Sequence, residues 1–285
     1  MCIMKMIIIS HFQAEKIMEA YDFGRKRVNA SLNLEMTTSN VKIDKNEVIF
    51  PEGDVAEIID IKKICRDDSN CYVFQEGMFI KAAVFSETTQ LYYKLYPTKT
   101  APTIEISGIR MHRVKEVEPW EDAKAKINTI SPVKGRVLDT CCGLGYTAII
   151  SSQHAEKVFT FEKDENVTTL ARMNPWSQKL FSTPNIKFAQ EDILNAIDTF
   201  DPYFFDIIIH DPPSFLVAGE LYSKEFYNKL HDKLKNGGKI FHYTGAPGLK
   251  FRGLDLMSSV DKRLKEVGFK NIQKDKKTFG IIAEK

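Results

Sequence analysis

Val137-Leu138-Asp139-Thr140-Cys141-Cys142-Gly143-Leu144-Gly145 is the stretch that decides the fold of this chain. An apolar run ends in an acid and enters a Gly-x-Gly turn, and the helix-compatible Tyr146-Thr147-Ala148-Ile149-Ile150 follows. Two glycines at that spacing let the backbone turn sharply and approach a ligand with no Cβ in the way. A helix starting there points its amide dipoles back at the ligand. The stretch reads as the strand, turn and helix of a nucleotide-type site.

Downstream, strand patterns recur at 136–139, 157–161, 186–190, 205–210 and 239–243. Helical patterns separate them. The one over 165–173 is stopped by Asn174-Pro175. A second, over 221–234, carries Phe226, Leu230 and Leu234 on one face and runs out at Asn236-Gly237-Gly238. A third, over 256–267, aligns Leu256, Val260 and Leu264, with Gly268 to close it. Alternating strands and helices predict an α/β fold, a doubly wound Rossmann-like parallel sheet. A late strand pair over 271–273 and 279–283 suits its edge.

Upstream the period changes. Short β-like runs at 41–43, 48–50, 71–75, 79–85 and 91–96 are separated by turns such as Asp44-Lys45-Asn46 and Glu52-Gly53. One helix is expected over 55–65. These features predict a smaller N-terminal α+β domain over 1–107 that helps to position a substrate, and the α/β domain over 108–285. The segment 1–10 is apolar but interrupted by Lys5, too short to span a bilayer, and reads as a strand or core piece.

A chain of 285 residues, 43% hydrophobic and 27% charged, has room for one large or two modest domains. A net charge of +2 announces no strong field for a polyanion. The five cysteines are odd in number and unevenly spread, which fits a reducing cytoplasm rather than a disulfide framework. No Cys-x-x-Cys pair is present, so no metal is expected.

Gly143-x-Gly145-x-x-Ala148 also satisfies the dinucleotide fingerprint, and Glu162, ending the second strand, can accept both ribose hydroxyls of any adenosine ligand. These features alone leave a nicotinamide-dependent oxidoreductase and a methyl-transfer enzyme both open. Three more separate them. Asp139 precedes the glycine turn, where a nicotinamide site needs no acid. Asp192 follows the third strand, placed for an adenine amino group. The fourth strand ends in His210-Asp211-Pro212-Pro213-Ser214-Phe215. First and fourth strands are neighbours at the switch point of a doubly wound sheet, so Asp139 and Asp211 are expected to flank one crevice.

In order, these motifs resemble those of class I S-adenosylmethionine-dependent methyltransferases, from about residue 136 to the C-terminus. The fuller string, with Ala218-Gly219-Glu220-Leu221-Tyr222-Ser223 and Phe241-His242-Tyr243-Thr244-Gly245, is similar to a family of predicted archaeal methyltransferases. The resemblance implies S-adenosyl-L-methionine as cofactor. It implies that the Asp139–Gly145 loop, with Cys141, Gly143 and Gly145, holds the methionine part. Glu162 and Lys163 then serve the ribose, and Glu191, Asp192 and Ile193 the adenine region.

An (Asp/Asn/Ser)-Pro-Pro-aromatic turn marks methyltransferases that act on exocyclic amino groups of adenine or cytosine. The amino lone pair is delocalised into the ring, so the nitrogen is a poor nucleophile. The Asp211 carboxylate and the Pro212 carbonyl accept its two N–H bonds in this reading, and Pro212-Pro213 preorganise both acceptors. The gain is mainly alignment for in-line displacement. This sequence has Ser214 at the fourth position, and Phe215, one residue later, is the base-stacking candidate. RNA cytosine-C5 enzymes also carry Asp-Pro-Pro, but they need a cysteine nucleophile. Cys141 and Cys142 lie in the cofactor loop and read as small packing residues.

Blander roles compete. Asp211 also suits a helix N-cap, Glu162 a surface acid, and His210 a satisfied strand-end histidine. The cluster Arg110-Met111-His112-Arg113 fits a phosphate clamp or a salt-bridge patch. The basic C-terminal residues Lys262, Arg263, Lys265, Lys270, Lys274, Lys276 and Lys277 are interrupted by acids, as on a solvated face. The expectation is a cytoplasmic methyltransferase acting on a base amino group in RNA. Small-molecule or protein acceptors, and a catalytically silent binding module, are the alternatives. No membrane partner is expected.

Overall fold

The computed structural model describes residues 6–245, 250–251 and 254–285, so 1–5 of the N-terminal apolar stretch lie outside the described residues. The chain divides into two compact units, Met1–Trp120 with Thr169–Gln178, and Glu121–Thr168 with Lys179–Lys285. The sequence boundary at 107 thus falls short of the structural one by the connector that leads into the first helix of the second unit.

The second unit holds a seven-stranded sheet. Helix α1 (Pro119–Thr129) leads into β1 (Arg136–Asp139), then α2 (Tyr146–Ser152), β2 (Lys157–Glu162), α3 (Glu165–Met173), which from Thr169 onward counts with the first unit, and α4 (Gln178–Ser182). There follow β3 (Ile186–Gln190), α5 (Ile193–Ala196), β4 (Phe205–His210), α6 (Lys224–Lys233), β5 (Leu234–Tyr243), α7 (Leu256–Val267), β6 (Lys270–Asp275) and β7 (Gly280–Glu284). The spatial order is β3-β2-β1-β4-β5-β7-β6. The first five strands run parallel, and β7 is antiparallel to both neighbours. This is the predicted doubly wound sheet with a late antiparallel pair at its edge. β1 and β4 are direct neighbours, with Asp139 opposite Ile209, so the order reverses beside Asp139.

The sheet forms because its strands are apolar on both faces. Val137, Leu138, Val158, Ile208, Ile240 and Phe241 are all buried. Helices cover it through single stripes, such as Val260 and Leu264 of α7 and Phe226 and Leu230 of α6. Gly268 closes α7 in the left-handed conformation (φ 113°), as its position predicts. Two boundaries differ from the sequence reading. Ser223 caps α6 by accepting the Phe226 N–H at 3.1 Å, so Gly219–Tyr222 form a separate 3₁₀ turn. The strand then begins at Leu234, and Asn236-Gly237-Gly238 form an irregularity within β5 rather than a helix end.

Among the described residues, the N-terminal stretch of the first unit carries three small antiparallel sheets and the helices His11–Asp22 and Ile58–Ile64. Ile8–Ile9, Tyr72–Gln75 and Met78–Lys81 form one sheet; Arg27–Ala30, Ser39–Asp44, Glu47–Ile49 and Val55–Glu57 a second; Ala83–Ser86, Leu91–Tyr96, Thr103–Ile106 and Ile109–Arg110 a third. The single run read over 79–85 is therefore two strands in different sheets, parted at buried Ala82. The run over 55–65 is a strand followed by the helix Ile58–Ile64. A helix at His11–Asp22 had no counterpart in the sequence reading. Its signal is the capping pair Ser10-x-x-Gln13, in which the Ser10 N–H donates to Gln13 Oε1 at 2.8 Å. Ile9, Ile17, Val41, Val48 and Ile61 share this unit's core.

Candidate active site

The carboxyl ends of β1, β2 and β4 bring Asp139, Glu162 and Asp211 to one edge of the sheet. Asp139 is fully buried. Its Oδ2 accepts hydrogen bonds from Thr160 Oγ1 (3.0 Å) and Thr147 Oγ1 (3.2 Å), while Oδ1 is buried without a partner. Burial raises its pKa to about 7, with the two threonines opposing and the nearby Asp211 and Glu162 charges adding to the rise.

Glu162 ties the glycine turn to β2. Its Oε2 accepts the Gly143 N–H and its Oε1 the Asp164 N–H, each at 2.9 Å. Burial raises its pKa, with those N–H bonds opposing. Gly143 has a φ of 55° and Gly145 a φ of 78°, conformations that favour glycine. At Gly145 an added Cβ would lie 2.8 Å from Leu180 Cδ2, so that glycine also admits α4 close to the turn. The turn is held further by the Cys142 N–H to the Phe161 carbonyl (2.8 Å) and the Thr140 N–H to the Ile209 carbonyl (3.0 Å).

At the end of β3, Glu191 is exposed and its N–H donates to the Glu162 carbonyl at 3.0 Å. Asp192 caps α5, accepting the Leu194 N–H at 2.9 Å. Its other oxygen lies 3.8 Å from Lys163 Nζ, which is also 3.9 Å from Glu220 Oε1. The Ile193 side chain is buried in the core of the unit, so only its backbone is open to an adenine-side role. Cys142 is buried and Cys141 partly so, and burial raises both thiols well above their ordinary pKa. Neither is poised as a thiolate.

Asp211 caps no helix. Its Oδ2 accepts from Lys126 Nζ at 2.7 Å, and Lys126 is itself nearly buried on α1. The turn after it is anchored by Tyr222, whose Oη donates to the Pro213 carbonyl at 2.9 Å and whose ring meets Phe215 edge-on at 5.5 Å. Pro212 is buried, while Pro213, Leu216 and Val217 are exposed. Lys126 is absent from the sequence reading, and Tyr222 enters it only within the string that carries the family resemblance, with no role of its own. Lys126 stands at i+4 from Asp122, a spacing that ordinarily marks a solvated helix pair.

His210 lies behind this edge. Nε2 donates to the Leu221 carbonyl (3.0 Å), leaving Nδ1 to accept from Thr140 Oγ1 (2.7 Å). Burial lowers its pKa to about 4. It is the satisfied, neutral strand-end histidine. His242 is likewise buried and accepts from Tyr227 Oη at 2.7 Å, and burial holds it well below its ordinary pKa. Among the described residues no group of His, Cys, Asp and Glu is disposed to hold a metal ion, and no helix is long and apolar enough to cross a membrane.

Comparison with known proteins agrees with this architecture. Residues 123–246 match the methyltransferase small domain, the span that carries α2, the glycine turn, Glu162 and Asp211. The chain is 46% identical over 261 residues to the uncharacterized protein MJ1233 of Methanocaldococcus jannaschii, covering 90% of this chain and 88% of that one. Its fold is similar to a spermidine synthase crystallised with the transition-state analogue AdoDATO (TM-score 0.57, 21% identity, 73% of this chain and 76% of that one). It is also similar to the spermidine synthase of Thermotoga maritima (TM-score 0.53, 20% identity, 67% and 66%). The chain belongs to the family of MJ1233 and is an S-adenosylmethionine-dependent methyltransferase built on the methyltransferase small domain.

Proposed function

We propose that the acceptor is an exocyclic amino group of a base in RNA, aligned by the Asp211-Pro212-Pro213 turn. The observation that carries this reading is the turn itself, held rigid by two prolines and the Tyr222–Pro213 bond, at the end of the strand beside Asp139. Fixed acceptors for the two N–H bonds of an amine are what its delocalised nitrogen needs. The nitrogen lone pair forms the new N–C bond as the methyl–sulfur bond breaks, and one N–H proton then leaves to solvent. Phe215, with its ring braced by Tyr222, is positioned as the stacking partner for the base.

The acids at the strand ends fit the donor. S-adenosylmethionine supplies an electrophilic methyl group on a sulfonium and carries a cationic amine. Asp139 Oδ1 is a buried carboxylate oxygen with no protein partner, suited to that positive charge. Glu162 keeps a lone pair on each oxygen for the ribose hydroxyls. The turn at Cys141, Gly143 and Gly145 lines the methionine part, Lys163 lies beside the ribose acid, and Glu191, Asp192 and the Ile193 backbone serve the adenine.

An RNA acceptor gains support from the first unit, whose proposed role is to hold the polynucleotide. On its third sheet Phe85 and Tyr92 are cross-strand partners, 54% and 40% exposed, and the Arg110 guanidinium lies 3.9 Å from the centre of the Tyr96 ring. Exposed aromatics and arginine on a sheet are the elements of base stacking. The test is transfer of labelled methyl from S-adenosylmethionine to unmodified transcribed RNA, protein and metabolite pools. Label in RNA, recovered in an N-methylated base after hydrolysis, is expected. Label confined to protein or metabolites would sink the RNA reading.

Asp139 adds a pH signature. Its folded-state pKa, about 7, stands above the ordinary carboxylate value. The free protein therefore holds a proton that the unfolded chain gives up. That contribution is full below about pH 4 and is lost as pH rises to about 7, on the order of a few kcal/mol. The melting temperature of the free protein should fall between pH 5 and 7.5, and less so in Asp139→Asn. Affinity for the cationic donor should rise over pH 6–8 in the wild type and stay flat in Asp139→Asn. Calorimetry showing the same flat profile in both proteins would remove Asp139 from the donor site.

A further inference from the structure

Lys126 is the least expected side chain at this edge. It is 5% exposed, with Nζ 2.7 Å from Asp211 Oδ2 and 3.1 Å from Asp122 Oδ2. The same nitrogen lies 4.3 Å from the centre of the Tyr243 ring. Burying an ammonium is costly unless it is paired. Burial alone would lower its pKa, but the Asp211 and Asp122 carboxylates outweigh that and hold it above its ordinary value. Lys126 is therefore a permanent cation and not a base for the departing proton.

We infer that Lys126 is a positioning residue that fixes the Asp211 carboxylate and restricts the acceptor to an uncharged amine. The inference rests on the reading of Asp211 as the acceptor-side carboxylate. With Oδ2 committed to Lys126 and Asp211 only 19% exposed, one carboxylate edge remains for an incoming N–H. A neutral arylamine donates its N–H there without adding charge. An ammonium acceptor, such as a polyamine, would bring a second full positive charge onto a carboxylate already paired with a cation a hydrogen bond away. Like charges so placed in a partly buried site repel strongly. The fold is shared with spermidine synthases, so spermidine is a pointed choice of probe. Asp122 completes the arrangement by tying the ammonium to its own helix.

The experiment uses the full chain and four changes: Lys126→Met, Lys126→Arg, Asp211→Asn and the double variant Lys126→Met/Asp211→Asn. Labelled methyl transfer is measured to transcribed RNA, to free adenosine and cytidine, and to spermidine. Lys126→Met should lower kcat on the neutral amine by about tenfold, the scale of losing one charged hydrogen bond, with the S-adenosylmethionine Kd within about twofold. Lys126→Arg should restore most of that loss. In the Asp211→Asn background the Met change should cost less than about threefold, because the partner it positions is already altered. The ratio of transfer to spermidine over the neutral amine should rise in Lys126→Met.

Should Lys126→Met fold poorly, Lys126→Met/Asp122→Asn also neutralises the second carboxylate that faces Nζ and carries the same expectations. An equal loss in both Asp211 backgrounds would make Lys126 a structural ion pair of α1 and overturn the positioning role. Wild-type transfer to spermidine as efficient as to any neutral amine would overturn the charge selection. Transfer to free adenosine or cytidine but not to RNA would remove the RNA reading and leave this inference standing. Transfer to no neutral amine would overturn both.

Discussion

Replacing Gly143 by Asp is expected to eliminate S-adenosylmethionine binding. Gly143 sits in the left-handed region at φ 55° and donates its N–H to Glu162 Oε2. Asp tolerates that conformation better than most residues, so backbone strain alone is a small part of the effect. The larger part is the new carboxylate beside Glu162, in a turn whose neighbour Asp139 already has an unpartnered buried oxygen. Like-charge repulsion there would pull Glu162 from the turn. In the proposed site that forfeits two charge-assisted ribose bonds, each worth roughly 1.5–3 kcal/mol. A loss of about 4 kcal/mol is about a thousandfold in Kd. Glu162→Ala forfeits the same two bonds without adding a charge and should weaken binding by at least about tenfold and by up to about the same thousandfold. Titration calorimetry on both variants, with thermal unfolding to verify the fold, makes the comparison. Wild-type affinity in Gly143→Asp would show that the donor does not lie against this turn.

The catalytic sheet was legible because its signals are strong and local. Four- to six-residue apolar strands, helical stripes such as Phe226-Leu230 and Val260-Leu264, and Gly268 at a helix end each have one physical reading, and the chain adopts it. Neighbouring β1 and β4 followed from the rule for doubly wound sheets, which is why Asp139 and Asp211 were expected, and are found, at adjacent strand ends. Boundaries were less legible. Leu234 looks helical by spacing yet starts β5, because pairing with Phe205 outweighs continuation of α6. In the first unit the described strands are two to six residues long, too short for period to separate one strand from two, so 79–85 read as a single run. The helix at His11–Asp22 carried a capping signal that the apolar stretch before it masked.

The supporting side chains were not legible for a different reason. Lys126 lies 85 positions from Asp211, and Tyr222 reaches back 9 positions to the Pro213 carbonyl. Lys126 belongs to no short motif, and the string that contains Tyr222 does not show which carbonyl its hydroxyl reaches. Sequence shows the acids that end strands; it does not show which distant cation or hydroxyl secures each one. Asp192 illustrates the reverse case. Read as an adenine contact, it also caps α5, so a capping bond and a proposed ligand bond share one carboxylate.

Asp211→Ala is expected to bind S-adenosylmethionine nearly normally and to lose methyl transfer by a factor of about 10²–10³, the scale of removing one preorganised polar group from a site. The separation follows from placement. Asp211 lies past the end of β4 and pairs with Lys126, whereas the donor-side bonds run through Asp139, the glycine turn and Glu162. Alanine leaves Lys126 still paired with Asp122, so the fold should persist. Asp211→Asn should be the milder change, since its amide oxygen can still accept one N–H. A ring-carbon mechanism makes a different forecast, because it needs a thiolate nucleophile. Cys141→Ala and Cys142→Ala would then be the damaging variants. Both thiols are held protonated by burial, so both variants should stay active. One assay, labelled methyl incorporation into RNA by these four proteins, distinguishes the two. Full activity in Asp211→Ala would discard amine alignment by this turn, and loss of activity confined to a cysteine variant would put a covalent ring-carbon route in its place.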